Sequence, residues 1–447
     1  MESVSSVVFH PEIPIIISGG EDDVIHMWNS QTYKHVNQLN FGLKRIWGMS
    51  VVPDTNAVAF GFDEGTIVIK IGKELPLAAF ANGKVVWVKS NEISTFNLKL
   101  LAGADEGSKD GEILKPQNVK EMGMSETFVQ NIRFSPTGRF FAAIGDNDFV
   151  IYAYPKFQNT AFGQGGDLVW STINAAQSHT FAVRLENGTI EVYKNFDKIK
   201  AFKTESGCDG IFGGRLLALR SKESVTFYDW DTFDVVRRID LASNLKNVFW
   251  AEDHSKVTLT LEDTFYLLEF NSSVVDQAIS QGLLEQDDME DGLEEAFTFI
   301  DEYSETVQSG LWVSSSCFTF INIRGNISYL IGGKIMKLGN ADKKQHILGY
   351  DGKQNRLYLV DKSLNIYAHR LLLSMMNFQV SILNEELEQA KSYLPSIPES
   401  FYGKLAKFLE NNGQKQLAFE VTPDLDHRFE LAVALNHVDV AKTIAEE

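Results

Sequence analysis

One short unit recurs along this 447-residue chain and narrows the folds open to it more than any other feature. The unit is a turn rich in Gly, Asp, Asn or Glu, followed at once by a strand that alternates β-branched and aromatic residues. Clear copies are Gly20-Glu21-Asp22-Asp23 before Val24–Trp28, Phe62-Asp63-Glu64-Gly65 before Thr66–Ile69, and Asn82-Gly83 before Lys84–Trp87. Others are Gly145–Asp148 before Phe149–Tyr152, Glu186–Gly188 before Thr189–Tyr193, and Ser221–Glu223 before Ser224–Tyr228. Weaker copies follow near 262–267, 324–329 and 361–367. A Gly or Asn at the hairpin supplies the positive φ such a turn needs. A Pro-containing turn marks Phe9–Pro14 and Phe134–Arg139. Most copies lie about 35–45 residues apart, the period of a four-stranded propeller blade. A blade has two apolar faces, so it must be stacked between neighbours in a ring.

The fold expected is therefore mainly β: a seven-bladed β-propeller, two blades of an incomplete propeller before it, and the start of an α-solenoid after it. Seven units fall between about 73 and 373 and make one closed ring. Two further units, about 4–40 and 41–72, read as the last blades of a truncated first propeller. Between ring units five and six the period stretches, and an insert at about 272–309 reads as helix. From Glu285 to Glu305 this stretch carries ten acidic residues and no basic one. Such a run is read first as a solvated surface, with docking of a basic partner as the alternative. After Arg370 the period changes from two to roughly 3.6. Helices are expected from Asn384 to Leu394, Glu399 to Asn412, Gln414 to Val421, Asp424 to Asn436 and Val438 to Glu447. Short helices on short loops read as αα-hairpins of a solenoid over 374–447. The pattern stops without a polar cap, which points to truncation at that end also.

Net charge of −19 with a pI near 5.0 argues against nucleic acid as a partner, because no basic excess is available to displace counterions from phosphates. The two cysteines, Cys208 and Cys317, offer neither a disulfide framework nor zinc spacing, and read as small buried residues of a reducing compartment. Residues 1–6 lack a signal-peptide pattern. The sequons at Asn187, Asn271 and Asn326 read as turn residues.

No catalytic constellation stands out, and the chain is read as a non-enzyme without cofactor. Gly163-Gln164-Gly165-Gly166 lacks dinucleotide-fingerprint spacing. His10 reads as a turn-ordering residue and His26 as a strand residue, both structural. Asp63-Glu64 and Asp146/Asp148 could pair for glycosidase-type acid–base work, but their recurrence at equivalent turns favours a structural role. Trp28, Trp47, Trp87, Trp170, Trp230, Trp250 and Trp312, spread about one per blade, read as core. No catalytic, cofactor or metal residue is assigned.

Several segments carry a family resemblance. Phe9–Gly19 with Met27–Tyr33, Gly61–Gly72 and Asn82–Trp87 resemble the end of the first propeller and the opening of the second in the beta-prime-type subunits of coatomer, the COPI vesicle coat. Asn195-Phe196, Phe227–Trp230, Val236–Asp240, Glu295–Phe297, Ser309–Val313, Phe378–Val380 and Arg428–Ala432 continue it in order to the solenoid. The resemblance implies a structural coat subunit in Golgi-to-ER retrograde and intra-Golgi transport. It implies other coatomer subunits as partners, the alpha subunit through the solenoid above all. It also implies a cytoplasmic protein, peripheral on Golgi and vesicle membranes through a small GTPase. Dilysine cargo tails are read in that family by the first propeller, and no cargo-binding residue is carried over to this chain. Another propeller–solenoid trafficking or pore scaffold is the alternative, and a propeller hydrolase a more distant one.

Overall fold

The computed structural model describes residues 3–11, 13–30, 32–53, 55–72, 75–89, 91–102, 110–204, 207–285, 291–341 and 344–446. They fall into two compact units, Met1–Leu75 and Pro76–Glu447.

The first unit holds two antiparallel sheets. One has four strands, Val4–Phe9, Ile15–Gly20, Val24–Asn29 and His35–Asn40. The other has three, Ile46–Val51, Ala57–Phe62 and Gly65–Lys70. Alternation in these strands sends Ile17, Ile25, Ile46, Val58 and Phe60 into a common core. Trp47 departs from the core reading: it is 59% exposed, lies under the Arg45 guanidinium and donates its indole N–H to Asp63.

The second unit contains seven antiparallel sheets followed by helices. Blade one is built from Ala78–Ala81, Lys84–Lys89, Glu92–Asn97 and Lys120–Met124. Blades two to six cover 131–164, 167–202, 210–240, 247–303 and 307–340, each a simple meander. Blade seven takes Gln345–Asp351, Arg356–Asp361 and Ile366–Arg370 from the far end of the ring. Its fourth strand, Ile113–Pro116, comes from the near end, with Ile113 opposite Tyr367 and Leu114 opposite Ile366, and the short strand Leu101–Ala102 pairs outside it. The chain thus leaves blade one before its last strand, joins blade seven, and returns. This interlocking closes the ring and stacks the two blade faces that a linear row would leave uncovered. Leu114 is buried with Val85, Phe96, Leu98 and Tyr358, so the clasp is apolar as well as hydrogen-bonded. The repeat spacing carries no sign of it, because the excursion falls between two strands of one unit.

Two sequence expectations need correction. The insert at 272–309 is helical only in part: Ser272–Ser280 is an α-helix, Leu283–Glu285 and Glu294–Ala296 are single turns, and 286–290 lie outside the described residues. Phe297–Tyr303 is instead the outer strand of blade five, paired with Phe265–Phe270, and Val307–Ser314 opens blade six. The Phe-Thr-Phe-Ile sequence favours a strand, and the acidic residues after it sit where a charged sheet edge discourages further pairing. The tryptophans are also less regular than one per blade. Blades two and seven have none, and Phe141, Phe149 and Tyr358 fill the equivalent cores.

The helical region begins where the period changes, with one helix ahead of the first expected at Asn384. Leu373–Leu383 is an α-helix inside the region after Arg370 that is expected to be helical, but its bounds are not marked by an amphipathic stripe, because it is buried on two sides. One side packs Met376 and Val380 against Ile327, Leu357 and Leu359 of the ring. The other packs Phe378 and Ile382 against Leu405, Phe408 and Leu417 of the following helices. Then come Leu387–Tyr393, Tyr402–Asn411, Lys415–Val421, Leu425–Ala434 and Val438–Glu446. Gly413, at φ +79°, ends one of them, and Asp424 caps the start of another by accepting from the Asp426 N–H.

Candidate interaction surfaces

The residues that could have carried chemistry are held apart. Asp63 accepts from Trp47, while Glu64 pairs with Lys44 at 2.6 Å, so these neighbouring carboxylates are engaged separately. Asp148 sits in a different blade, its pKa raised by burial and then by the charge of Asp146. The inner strands of the ring carry Asp167, which faces Arg133 at 3.5 Å, and His346, which lies 3.2 Å from the Gln308 amide. Burial and the Lys344 charge hold the His346 pKa below its ordinary value. Gly163 to Gly166 end an outer strand and turn into the next blade. A Cβ at Gly165 would lie 2.1 Å from Val183 Cγ1, so these glycines answer to packing and not to a phosphate. His10 Nδ1 accepts from the Ile13 N–H at 3.1 Å, and the ring orders the Pro-containing turn. Of the sequon asparagines, Asn187 lies in a turn, Asn271 begins the helix of blade five, and Asn326 opens a strand.

Cys208 and Cys317 are both buried and unpaired with each other. Burial pushes the Cys317 thiol up to about 12 from an ordinary value of 9.0. The folded state therefore favours the protonated thiol. Its contribution to stability is constant below pH 9 and is lost as pH rises from 9 toward 12. At pH 8 a chromogenic thiol reagent is expected to label Cys317 only as fast as the protein unfolds. Rapid labelling of the native protein at this position would contradict the packing.

Two surfaces stand out. The first is one mouth of the ring, where a cavity of about 550 Å³ is walled by aromatic side chains that close successive inner strands, among them Phe134, Trp170, Phe212, Trp250 and Trp312. Trp312 donates to the Phe249 carbonyl at 3.1 Å. Gly213 and Gly214 let blades three and four approach: a Cβ on Gly213 would lie 2.2 Å from the Trp170 carbonyl oxygen. The aromatic position recurs about once per blade, a signal carried by the inner strands and not by the hairpin turns.

The second is the junction of the ring and the helices. Lys337, Arg370 and Lys404 gather beside Leu371, Met375 and Phe401. The Arg370 guanidinium and the Lys404 ammonium lie 5.6 and 5.8 Å from the Phe401 ring centre, and Asp110 is 3.5 Å from Arg370. Beneath them the Tyr329 hydroxyl donates to Gln379 Oε1 at 3.1 Å, and burial pushes the Tyr329 pKa to about 12. The apolar cores of blade six and of the first two helices run together here, so the junction couples the ring to the helices.

Family comparison decides what this ring and its helices are. A family model described as the COPA/B second beta-propeller matches residues 90–361, and one described as the COPA/B TPR domain matches 378–447. The chain belongs to the COPA/B family. Coatomer subunit beta' of Drosophila melanogaster is 38% identical over 99% of the chain and 47% of its own length. Coatomer subunit beta' of Rattus norvegicus is 38% identical over 98% and 47%, respectively. Coatomer subunit beta'-2 of Oryza sativa subsp. japonica is 38% identical over 99% and 48%. The resemblance to coatomer beta-prime subunits, read from short segments, is thus borne out along the whole chain. The COPA/B chain spans about half the length of the curated relatives it matches. Among the described residues, no helix is long and apolar enough to cross a membrane.

Proposed function

We propose that this COPA/B chain is a non-enzymatic structural part of the COPI coat, serving Golgi-to-ER retrograde and intra-Golgi transport. One observation carries the reading: both COPA/B matches occur in order on a ring and helices that share one core. A scaffold leg needs such a joint, because bending between ring and helices would spread any force applied to either. In this reading residues 1–72, 73–373 and 374–447 act as three successive regions of the leg. The helices pair with the helical-repeat region of a coatomer alpha subunit, and the coat is held on Golgi membranes from the cytoplasm through a small GTPase.

Co-expressed with an alpha-subunit helical-repeat region, the chain is expected to co-elute with it at one-to-one stoichiometry. Separate elution of two well-folded proteins would move the assignment toward another propeller–solenoid scaffold and leave the fold untouched. The propeller-hydrolase alternative would require a carboxylate pair in the channel, whereas Asp167 is engaged by the Arg133 guanidinium and the Leu168 N–H.

A further inference from the structure

Two of the dispersed histidines meet in the first unit. His26 lies within the strand Val24–Asn29, and His35 opens the strand His35–Asn40. Met27 stands opposite Asn37, so an uninterrupted antiparallel ladder would put Val36 opposite Trp28 and turn His35 to the other face. The register instead shifts between Met27 and Trp28, and Trp28 faces His35. Val36 is the extra residue of a β-bulge. The bulge brings His35 onto the face already occupied by His26 and Trp28.

The resulting geometry is specific. His26 Nδ1 and His35 Nε2 lie 3.3 Å apart. The Trp28 ring meets the His35 imidazole edge-on, 4.9 Å between centres, and is itself fixed by an indole N–H donated to Ser18 Oγ at 2.9 Å. On its other side, His26 Nε2 lies 3.0 Å from Asp22 Oδ2. With the carboxylate accepting from Nε2–H, the lone pair of His26 resides on Nδ1 and points at the gap shared with His35.

Two imidazole nitrogens bound at about 2.0–2.1 Å to one tetrahedral ion stand about 3.3 Å apart. A carboxylate on the far nitrogen of a ligating histidine is the usual device for fixing its tautomer and orientation. We propose that His26 and His35 form a two-nitrogen site for a divalent transition ion that favours imidazole, of the Zn²⁺, Ni²⁺ or Cu²⁺ class, with Asp22 as the positioning residue. Among the described residues no group of three or more His, Cys, Asp or Glu side chains is placed to hold a metal. The site is therefore open: the protein supplies two ligands, water fills the remaining positions, and the ion exchanges with solvent. The competing arrangement is a plain hydrogen bond between the two rings, which needs neither an ion nor the Asp22 carboxylate.

Titration calorimetry of the full chain with Zn²⁺ separates the two. The expected result is one site that disappears in His35→Asn and weakens about 10–100-fold in Asp22→Asn, with recovery in Asp22→Glu. His35 is solvent-exposed, so its variant keeps the fold and decides between the two arrangements even if His26→Asn perturbs the sheet. Zinc binding that is the same in His35→Asn as in the parent chain would overturn the proposal, as would a parent chain that binds no Zn²⁺.

Discussion

Phe378→Ala is expected to lower the stability of the ring-and-helix unit by about 3–5 kcal/mol. Phe378 is fully buried on the first helix, among Ile382, Leu405, Phe408 and Leu417. Its neighbours belong to several helices and cannot close on the space together, so both the transfer energy and the cavity are lost. The same helix is pinned to the ring on its opposite side by Met376 and Val380, which denies it the freedom to shift inward. Denaturant unfolding of the variant and the parent measures the difference. A loss below about 1 kcal/mol would place Phe378 outside a packed core.

Gly213→Ala should cost about 1–3 kcal/mol for the opposite reason, overpacking. The new methyl would meet the Trp170 carbonyl oxygen at 2.2 Å, with the Trp170 backbone carbon and nitrogen close behind. A flexible side chain could swing away, but this neighbour is main chain. That main chain is also fastened: Gly214 N–H donates to the Trp170 carbonyl at 3.2 Å, and Thr172 N–H donates to the Gly214 carbonyl at 3.1 Å. The strain therefore falls on the seam between blades three and four. Hydrogen exchange should show faster opening at 168–172 and 210–214 than in the parent protein. Unchanged stability and exchange would mean the blades do not approach as closely as described.

The blades are legible in the sequence because each is a local object. A hairpin such as Gly145–Asp148 and the alternating strand after it carry their own turn chemistry and their own period. What stays hidden is non-local. Nothing in Ile113–Pro116 announces a partner near Ile366, since the strand has ordinary residues and its pairing depends on ring closure. Leu373–Leu383 falls in the expected helical region but is not marked as a separate helix, because burial on two sides erases the amphipathic stripe that sets a helix's bounds. Phe297–Tyr303 reads as part of a helical insert because its acidic neighbours outweigh a short β-prone run. His26 reads as a structural strand residue and His35 carries no signal of its own, because only the one-residue bulge at Val36 brings the two to the same face.

The clasp on blade seven has a consequence for how the protein is made. Ile113–Pro116 leaves the ribosome long before Ile366–Arg370 exists to receive it. At about 5–20 residues per second, the wait is on the order of 10–50 s. During that interval blade one can form its hairpins, but the strand beside it has no mate and the row of blades has two raw ends. Emergence of the final hairpin, and not of the first, sets the moment at which the nascent ring becomes safe from sticking to another chain.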